Sequence, residues 1–536
     1  MDNETYELRD ASEYWGLDAI EAEERLIQDA GTNKKPSVAL IGPAGERLSL
    51  ISGVCNESGR MAARSGVGAV MGSKKLKALV LAGSQKIVCH DKSAMNELSK
   101  ELTQKIKKAY PGGIMKGSTY GLLGAAMGAA PMSLPLDGSM NMGPLSKWGS
   151  SVNTVLAIKS GDGPIKNWGG TPKDVKWAAK HYNPDRLFER EIKKFNCYSC
   201  NLGCGAVISI KDLCEGEYEH THKPEYETIQ GFGPMLLNKN LESVLWINEL
   251  LNRAGMDTIS TANTVAYAIE CYENGFINEN QTDGLKLNWG AHEDIVKLVE
   301  MMIARNGIGD KLADGVKKAT EHFGDETKEY AMHIGGQEPG FHEPRQDLQL
   351  AVHFATEPSP GKHTIGSGGD YGNMAIWDIC TWAPVAKSEN KKAARMTSET
   401  CGKASAAAAC YAMLVDGAGG CYYGKIIGTN NWKLIKYLNT ASGWDKTGDE
   451  YLEIGKRIQT LRAMFNVKHD VLPASPELPK RMEGKPPLKN GPNKGATINT
   501  KEQAKYHWEE MGCDVVTGAP LEETIVALGI NELLSL

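Results

Sequence analysis

Three cysteines fall within eight residues, at Cys197, Cys200 and Cys204 of the segment FNCYSCNLGCGAV, and they bind the fold to a condition. The C-x2-C-x3-C spacing carries three thiolates round one turn of chain, which suits a corner-by-corner grip on a cuboidal iron–sulfur cluster. A tetrahedral zinc site normally arrives as two C-x2-C or H-x3-H knuckles, and the sequence shows no second one. The order C-x3-C-x2-C, which would suggest a radical enzyme, is not the order present. A [4Fe–4S] cluster is the expectation, with zinc and reduced structural thiols as the alternatives. A cluster needs a fourth ligand, so the fold must bring one from elsewhere or leave an iron open.

At 536 residues the chain exceeds what one core holds, and two or three domains are expected. A net charge of −6 speaks against an electrostatic claim on nucleic acid or an anionic membrane. Twelve cysteines, with no signal peptide at the start, predict a reducing cytoplasm where thiolates are free to hold metal. The longest uncharged apolar stretch, residues 120–136, is cut by glycine and proline and is too short to span a bilayer.

Patterning predicts an α+β protein. Residues 19–30 read as a helix, and 37–41, 48–54 and 76–81 as short strands. Beyond residue 84 the periodicity turns helical, at 92–109, 241–254, 258–274, 293–305 and 311–323. A further helical block, 388–414 and 447–465, is rich in alanine and cationic residues, and the proline- and lysine-rich tail 473–493 is expected to run over the surface. The predicted layout is a partial β-rich N-terminal domain at 1–86, a helical domain with the cysteine triplet at 87–347, and a second helical domain at 348–536. Glycines cluster at 42–45, 66–72, 366–369 and 417–420. They mark either loops or places where backbone amides cradle an extended anionic cofactor.

The run IGPAGERLSLISGV, followed by Arg60-Met-Ala-Ala-Arg64-Ser-Gly66-Val-Gly68-Ala-Val-Met-Gly72-Ser-Lys74, pairs two arginines with a flexible glycine stretch. Such a pair pins phosphates with charge-assisted bonds while amides approach the same ligand. Alone it is a phosphate loop or a tight turn before a strand; it has neither the Walker spacing nor the dinucleotide fingerprint. Taken with the cysteines, it resembles the aldehyde ferredoxin oxidoreductase family of tungsten enzymes, and the resemblance runs from about residue 5 to the C-terminus. It implies a mononuclear tungsten or molybdenum held by two pyranopterin dithiolenes, a [4Fe–4S] cluster alongside, and Mg²⁺ bridging pterin phosphates. Arg60, Arg64, Gly66, Gly68, Gly72 and Lys74 then fall among the cofactor-binding residues.

Asp416-Gly-Ala-Gly419-Gly-Cys421 resembles the family's D-x-x-G-x-C motif, in which the aspartate bonds a pterin and the cysteine closes the cluster. Outside that resemblance, Asp416 would end an alanine-rich helix and Cys421 would be a small buried side chain. The companion D-x-x-G-M-D appears as Asn252-Arg-Ala-Gly255-Met-Asp257. Asn252 keeps one acceptor but loses the charge, and Gly255 alone would be an ordinary helix cap.

Lys223-Pro-Glu225-Tyr-Glu227-Thr resembles the family's E-Y-E-T, which makes Glu227 the expected general base. His342-Glu-Pro-Arg345 resembles Y-D-P-R, with Arg345 on the cofactor side. It leads to Lys362-His363, where the family commonly has C-H; His363 is the expected hydrogen-bond donor in the metal pocket, and Lys362 stands in place of the cysteine. His333, His342 and His353 read as structural.

Two further departures are evident. The chain enters the family's first domain midway, so a partner chain carrying the missing N-terminal segment is expected, or a gene model that begins too late. The E-x-x-H motif that some members use for a bridging iron is absent from residues 242–251. The resemblance implies oxidation of a small aldehyde to its carboxylic acid, with electrons leaving through the cluster to ferredoxin or an iron–sulfur subunit. Two alternatives stay open: the tungsten subunit of a class II benzoyl-CoA reductase, and a non-catalytic iron–sulfur relay or scaffold subunit. RIQTLRAMFNV suits both enzyme branches, and E-Y-E-T favours the aldehyde.

Overall fold

The computed structural model describes residues 6–32, 34–112 and 115–535. The N-terminal part is a four-stranded antiparallel sheet in the order Arg60–Ala62, Val54–Asn56, Ser37–Leu40, Ala78–Leu81. The helix Ala19–Asp29 starts at Asp18, whose carboxylate accepts from the Ile20 and Glu21 amides, a standard N-cap. It lays Ala19 and Ala22 against Val38, Leu40 and Cys55 of the sheet. Beneath the sheet, fully buried Lys77 donates to Glu46 Oε1 at 2.5 Å and to the Leu17 carbonyl at 3.2 Å.

The strand expected at 48–54 is largely a string of turns. Ser49 Oγ donates to the Ala313 carbonyl, and the Leu50 amide donates to Asp314. The segment therefore spends its polar groups on the helical part of the molecule, and only from Val54 does it pair with a strand. Two short helices, Pro43–Glu46 and Val67–Ser73, meet backbone to backbone here. A Cβ on Gly72 would lie 2.0 Å from the Gly45 carbonyl oxygen, and one on Gly68 would lie 2.6 Å from that of Gly53. Gly72→Ala is therefore expected to cost about 1–3 kcal/mol, the usual range for overpacking, read as a lower urea midpoint.

The largest core gathers residues of Leu241–Ala254, Thr258–Glu273, His292–Ala304, Tyr226–Phe232 and Leu348–Thr356. The helix expected at 311–323 is two, Ile308–Leu312 and Val316–Phe323. Gly315 sits between them at φ +85°, and Glu338 Oε1 caps the Val316 amide at 2.6 Å. The alanine-rich helix begins at Glu399, not near 388, because Ser398 caps it by accepting from Cys401 N–H. It packs against Gly448–Lys468 so closely that a Cβ on Gly455 would lie 1.9 Å from the Cys410 carbonyl oxygen.

Residues 473–493 do not simply cross the surface. Leu478 and Met482 enter the main core, and Arg481 grips both oxygens of Glu270 at 2.9 Å. Helices Ser118–Ala129, Ser139–Trp148 and Thr500–Met511 were not legible from the periodicity. Glu191–Phe195, Gly205–Ser209 and His220–His222 form a small antiparallel sheet, and the cysteine triplet lies in the connection between its first two strands. Helices predominate and the strands are confined to small sheets, as an α+β fold requires. Among the described residues no helix is long and apolar enough to cross a membrane.

Candidate active site

The connection from Phe195 to Gly205 is folded on itself. Cys200 N–H donates to the Cys197 carbonyl at 3.0 Å, Asn196 donates to the Cys200 carbonyl at 3.1 Å, and Gly203 turns the chain at φ +63°. Cys421 arrives from the other end of the sequence as the residue capping the helix Tyr422–Ile426. Cys200 and Cys204 lie with Tyr422 and Tyr423 against the apolar group of Leu202, Ile426 and Ile427. The four thiols share one electrostatic neighbourhood. Burial pushes the Cys204 thiol up, and Glu225 and Cys421 add to it; burial likewise raises Cys421, with Cys200 and Cys197 behind.

Arg60 stands beside the triplet. Its guanidinium lies 4.8 Å over the Phe195 ring and donates to Glu225 Oε1 at 3.1 Å, while its Nε is buried without a partner. Arg64 donates one Nη to the Glu338 carbonyl, and its Nε and other Nη are likewise buried and unpaired. Buried donors left unpaired are costly, so three of them on two arginines fit an anionic group held between.

Glu227 lies in the buried helix Tyr226–Phe232, whose first amide is held by Ser150 Oγ at 2.8 Å. Its Oε2 accepts from Phe341 N–H at 2.7 Å. Its Oε1 faces His342 Nε2 at 3.4 Å and His363 Nε2 at 3.3 Å, with no well-formed hydrogen bond. His342 Nδ1 in turn meets Asp162 Oδ2 at 2.7 Å. The two imidazoles stack, centroids 5.4 Å apart. The His363 ring is set by Gly340, where a Cβ would lie 2.4 Å from Nδ1.

Burial alone would raise the Glu227 carboxyl, but His363, His342 and the Phe341 amide outweigh it and bring it down to about 2. Burial works against a charge on His342, yet Asp162 and Glu227 together hold its pKa well above the ordinary value. Burial pushes His363 down to about 4. The directions favour a carboxylate at Glu227 and place the imidazole charge on His342 ahead of His363. The structure places His342, which the sequence reads as structural, inside this constellation together with Asp162, which no motif marks. The available signal was His342 itself, standing where the family motif has tyrosine.

The other candidates have visible packing roles. Gly66 is left-handed at φ +65° and, with Gly68 and Gly72, faces neighbouring backbone; Lys74 is exposed at the end of the helix Val67–Ser73. Gly255 ends the helix Leu241–Ala254 at φ +69°, and buried Asn252 lies in its last turn. Asp257 caps the next helix, accepting from the Ile259 and Ser260 amides at 3.1 Å. Arg345 is buried against Glu343 and the Trp168 carbonyl. Asp416, half exposed, accepts from Lys362 Nζ at 3.0 Å, so the lysine in the cysteine's place is the partner of the pterin-motif aspartate. Gly419 is left-handed at φ +70° with open space beside it.

Residues 136–530 match the family model described as aldehyde ferredoxin oxidoreductase, domains 2 & 3, and residues 1–83 match the N-terminal domain of that family. Tungsten-containing aldehyde ferredoxin oxidoreductase of Pyrococcus furiosus is 30% identical over 99% of this chain and 79% of its own. The enzyme of the same description from Thermococcus kodakarensis is 30% identical over 98% of this chain and 79% of its own. The WOR-like subunit of an aliphatic sulfonate oxidoreductase from Pyrococcus furiosus is 26% identical over 99% and 78%. Among solved structures, the active site complex BamBC of benzoyl coenzyme A reductase with 1,5-dienoyl-CoA shares the fold. Its TM-score is 0.72 at 21% identity, covering 100% of this chain and 79% of that one.

Proposed function

The chain belongs to the aldehyde ferredoxin oxidoreductase family, and from that membership we propose that it oxidises a small aldehyde to the carboxylic acid at a tungsten (or molybdenum) bis-pyranopterin centre. The observation that carries this reading is Glu227: a buried carboxylate with one oxygen fixed by a backbone amide and the other, without a well-formed hydrogen bond, facing His363 and His342. Adding a water oxygen to a carbonyl carbon releases a proton, and an ionised carboxylate in a closed pocket takes it. His363 Nε2 lies 3.3 Å from the free oxygen of Glu227, so an oxygen bound beside the pair would be within reach of both.

The residues present fit the cofactor. Unpaired donors of Arg60 and Arg64 would bind its anionic groups, and Mg²⁺ would offset the charge of its phosphates. Asn252, Asp257, Asp416 and Arg345, with the glycine run 66–72, Gly255, Gly419 and Lys74, would be its further contacts. When bound, the centre supplies the two-electron redox step. Cys197, Cys200, Cys204 and Cys421 would hold a [4Fe–4S] cluster through which electrons leave to ferredoxin or an iron–sulfur subunit in the cytoplasm. The test is to supply anaerobically purified protein with a panel of aldehydes and a ferredoxin. Carboxylic acid formed at one molecule per two electrons supports the reading; reduction of an aromatic acyl-CoA with no turnover of any aldehyde contradicts it.

Cys421→Ser is expected to lower iron content or shift the cluster's reduction potential, because one corner changes ligand. Serine at buried Cys271 or Cys513, or at Cys89, which lies against the Thr440 carbonyl, leaves both unchanged. Iron analysis and a redox titration of the four variants check this. Wild-type loading and potential in Cys421→Ser would remove that residue from the site.

A further inference from the structure

The proposed reaction uses Glu227 and His363 but leaves Asp162 and His342 without a task. Asp162 sits in the turn after the helix Asn153–Ser160, between Gly161 and Gly163. One of its oxygens meets His342 Nδ1 at 2.7 Å, and the other accepts from Glu343 N–H at 3.4 Å. The imidazole is further confined by Tyr226 on one side, centroids 5.1 Å apart, and by the stacked His363 ring on the other. Its remaining nitrogen is directed at Glu227 Oε1, the oxygen that no backbone amide holds.

We propose that His342 is the positioning residue of the site: clamped by Asp162, it stands as an imidazolium against Glu227 and fixes both the direction and the ionised state of that carboxylate. This rests on the reading of Glu227 as the base. An ion between two carboxylates is a stable arrangement, since each anion favours the charged ring, and the ring in turn favours both anions. The groups facing this unit are few. Tyr226 and His363 flank His342; Arg64 and Asp370 act on His363 from opposite signs, and Tyr422 closes the far side of the His363 ring. Glu343, next along the chain, is engaged with Arg345. Of the two imidazoles facing Oε1, His342 is the one that a second carboxylate also holds, so its removal lets burial count for more.

The sign follows directly. With His363, His342 and the Phe341 amide all facing it, Glu227 is held down to about 2 and stays a carboxylate through mildly acidic pH. With His342 replaced by a neutral residue, burial lifts the carboxyl, and the base is lost from the acidic side first. His342→Gln should therefore move the acid limb of the kcat/KM profile upward by at least about one pH unit, with the loss concentrated on the acid side of the profile and smallest at pH 8.5. Asp162→Asn should move it the same way, because the imidazole then has one anion in place of two.

A second measurement stands apart from aldehyde turnover. In protein labelled with ¹⁵N in the histidine rings, the resonance missing from His342→Gln identifies His342. It is expected at the imidazolium position at pH 8 in the wild type, and to become neutral below pH 8 in Asp162→Asn. A His342 neutral at pH 7 in the wild type overturns the proposal, even if no aldehyde is ever turned over. A loss equal at every pH, or an unmoved acid limb, does the same by reducing His342 to a packing role. So does one equivalent of zinc that His342→Gln loses, because Glu227, His342 and His363 present ligand atoms within 4.8 Å of one another and would then be a metal site. Failure of aldehyde turnover with an imidazolium at His342 would instead discard the substrate and keep the positioning.

Discussion

Glu227→Gln is expected to lower turnover by about two to four orders of magnitude, with tungsten and iron contents unchanged. The amide keeps the shape of the carboxylate and can still accept from Phe341 N–H through one atom. It cannot take a proton, and it presents an NH₂ where Oε1 stood between His342 and His363. The expected signature is therefore a fall in kcat at every pH with the cofactors in place, which sets it apart from the pH-dependent loss of His342→Gln. Steady-state kinetics beside metal analysis check it. Near-wild-type turnover would move the base elsewhere, with Glu225 the next residue to test.

The second large effect concerns stability. Arg345 and Glu343 form an ion pair with side chains 1% and 3% exposed, joined through Nε at 2.7 Å and Nη2 at 2.5 Å, and Nη2 also donates to the Trp168 carbonyl at 2.9 Å. Arg345→Met removes the cation and leaves a carboxylate in a dry interior, for which a loss of about 3–5 kcal/mol is expected. The double variant Glu343→Gln/Arg345→Met should recover a large part, since the cost lies in the uncompensated charge more than in the lost contact. Anaerobic urea unfolding followed by tryptophan fluorescence reads both. A wild-type midpoint in Arg345→Met, together with loss of tungsten, would give Arg345 to the cofactor alone.

Helices with a clear polar face and a side-chain cap were legible from the sequence. Lys92–Ala109 begins on Asp91, and Leu241–Ala254 runs from Asn240 to Gly255, which is how the pattern bounded them. Ser118–Ala129 was hidden because its glycines read as breakers. In the structure Gly121, Gly124 and Gly128 are the face that approaches Val155, the Leu156 carbonyl and the Lys159 carbonyl. The turns at 48–53 carry strand-like residues whose hydrogen bonds go to Ala313 and Asp314, a tertiary decision that no local window contains.

The site divides in the same way. Spacing alone marks Cys197, Cys200 and Cys204 because their ligand geometry is local. Cys421, Glu227 and His363 came only through the family's motifs. Asp162 lies 180 residues from His342, in an ordinary polar turn, and the pairing exists only in the folded molecule. Glycines 66, 68 and 72 carry a second constraint that no local window contains, the backbone that lies against each of them.

The central claim is tested most directly by elemental analysis of the chain purified under strict anaerobiosis. About one tungsten or molybdenum and about four irons per chain are expected, as a mononuclear pterin centre beside one [4Fe–4S] cluster requires. Iron at that level with neither tungsten nor molybdenum would contradict it and leave an iron–sulfur relay subunit in its place.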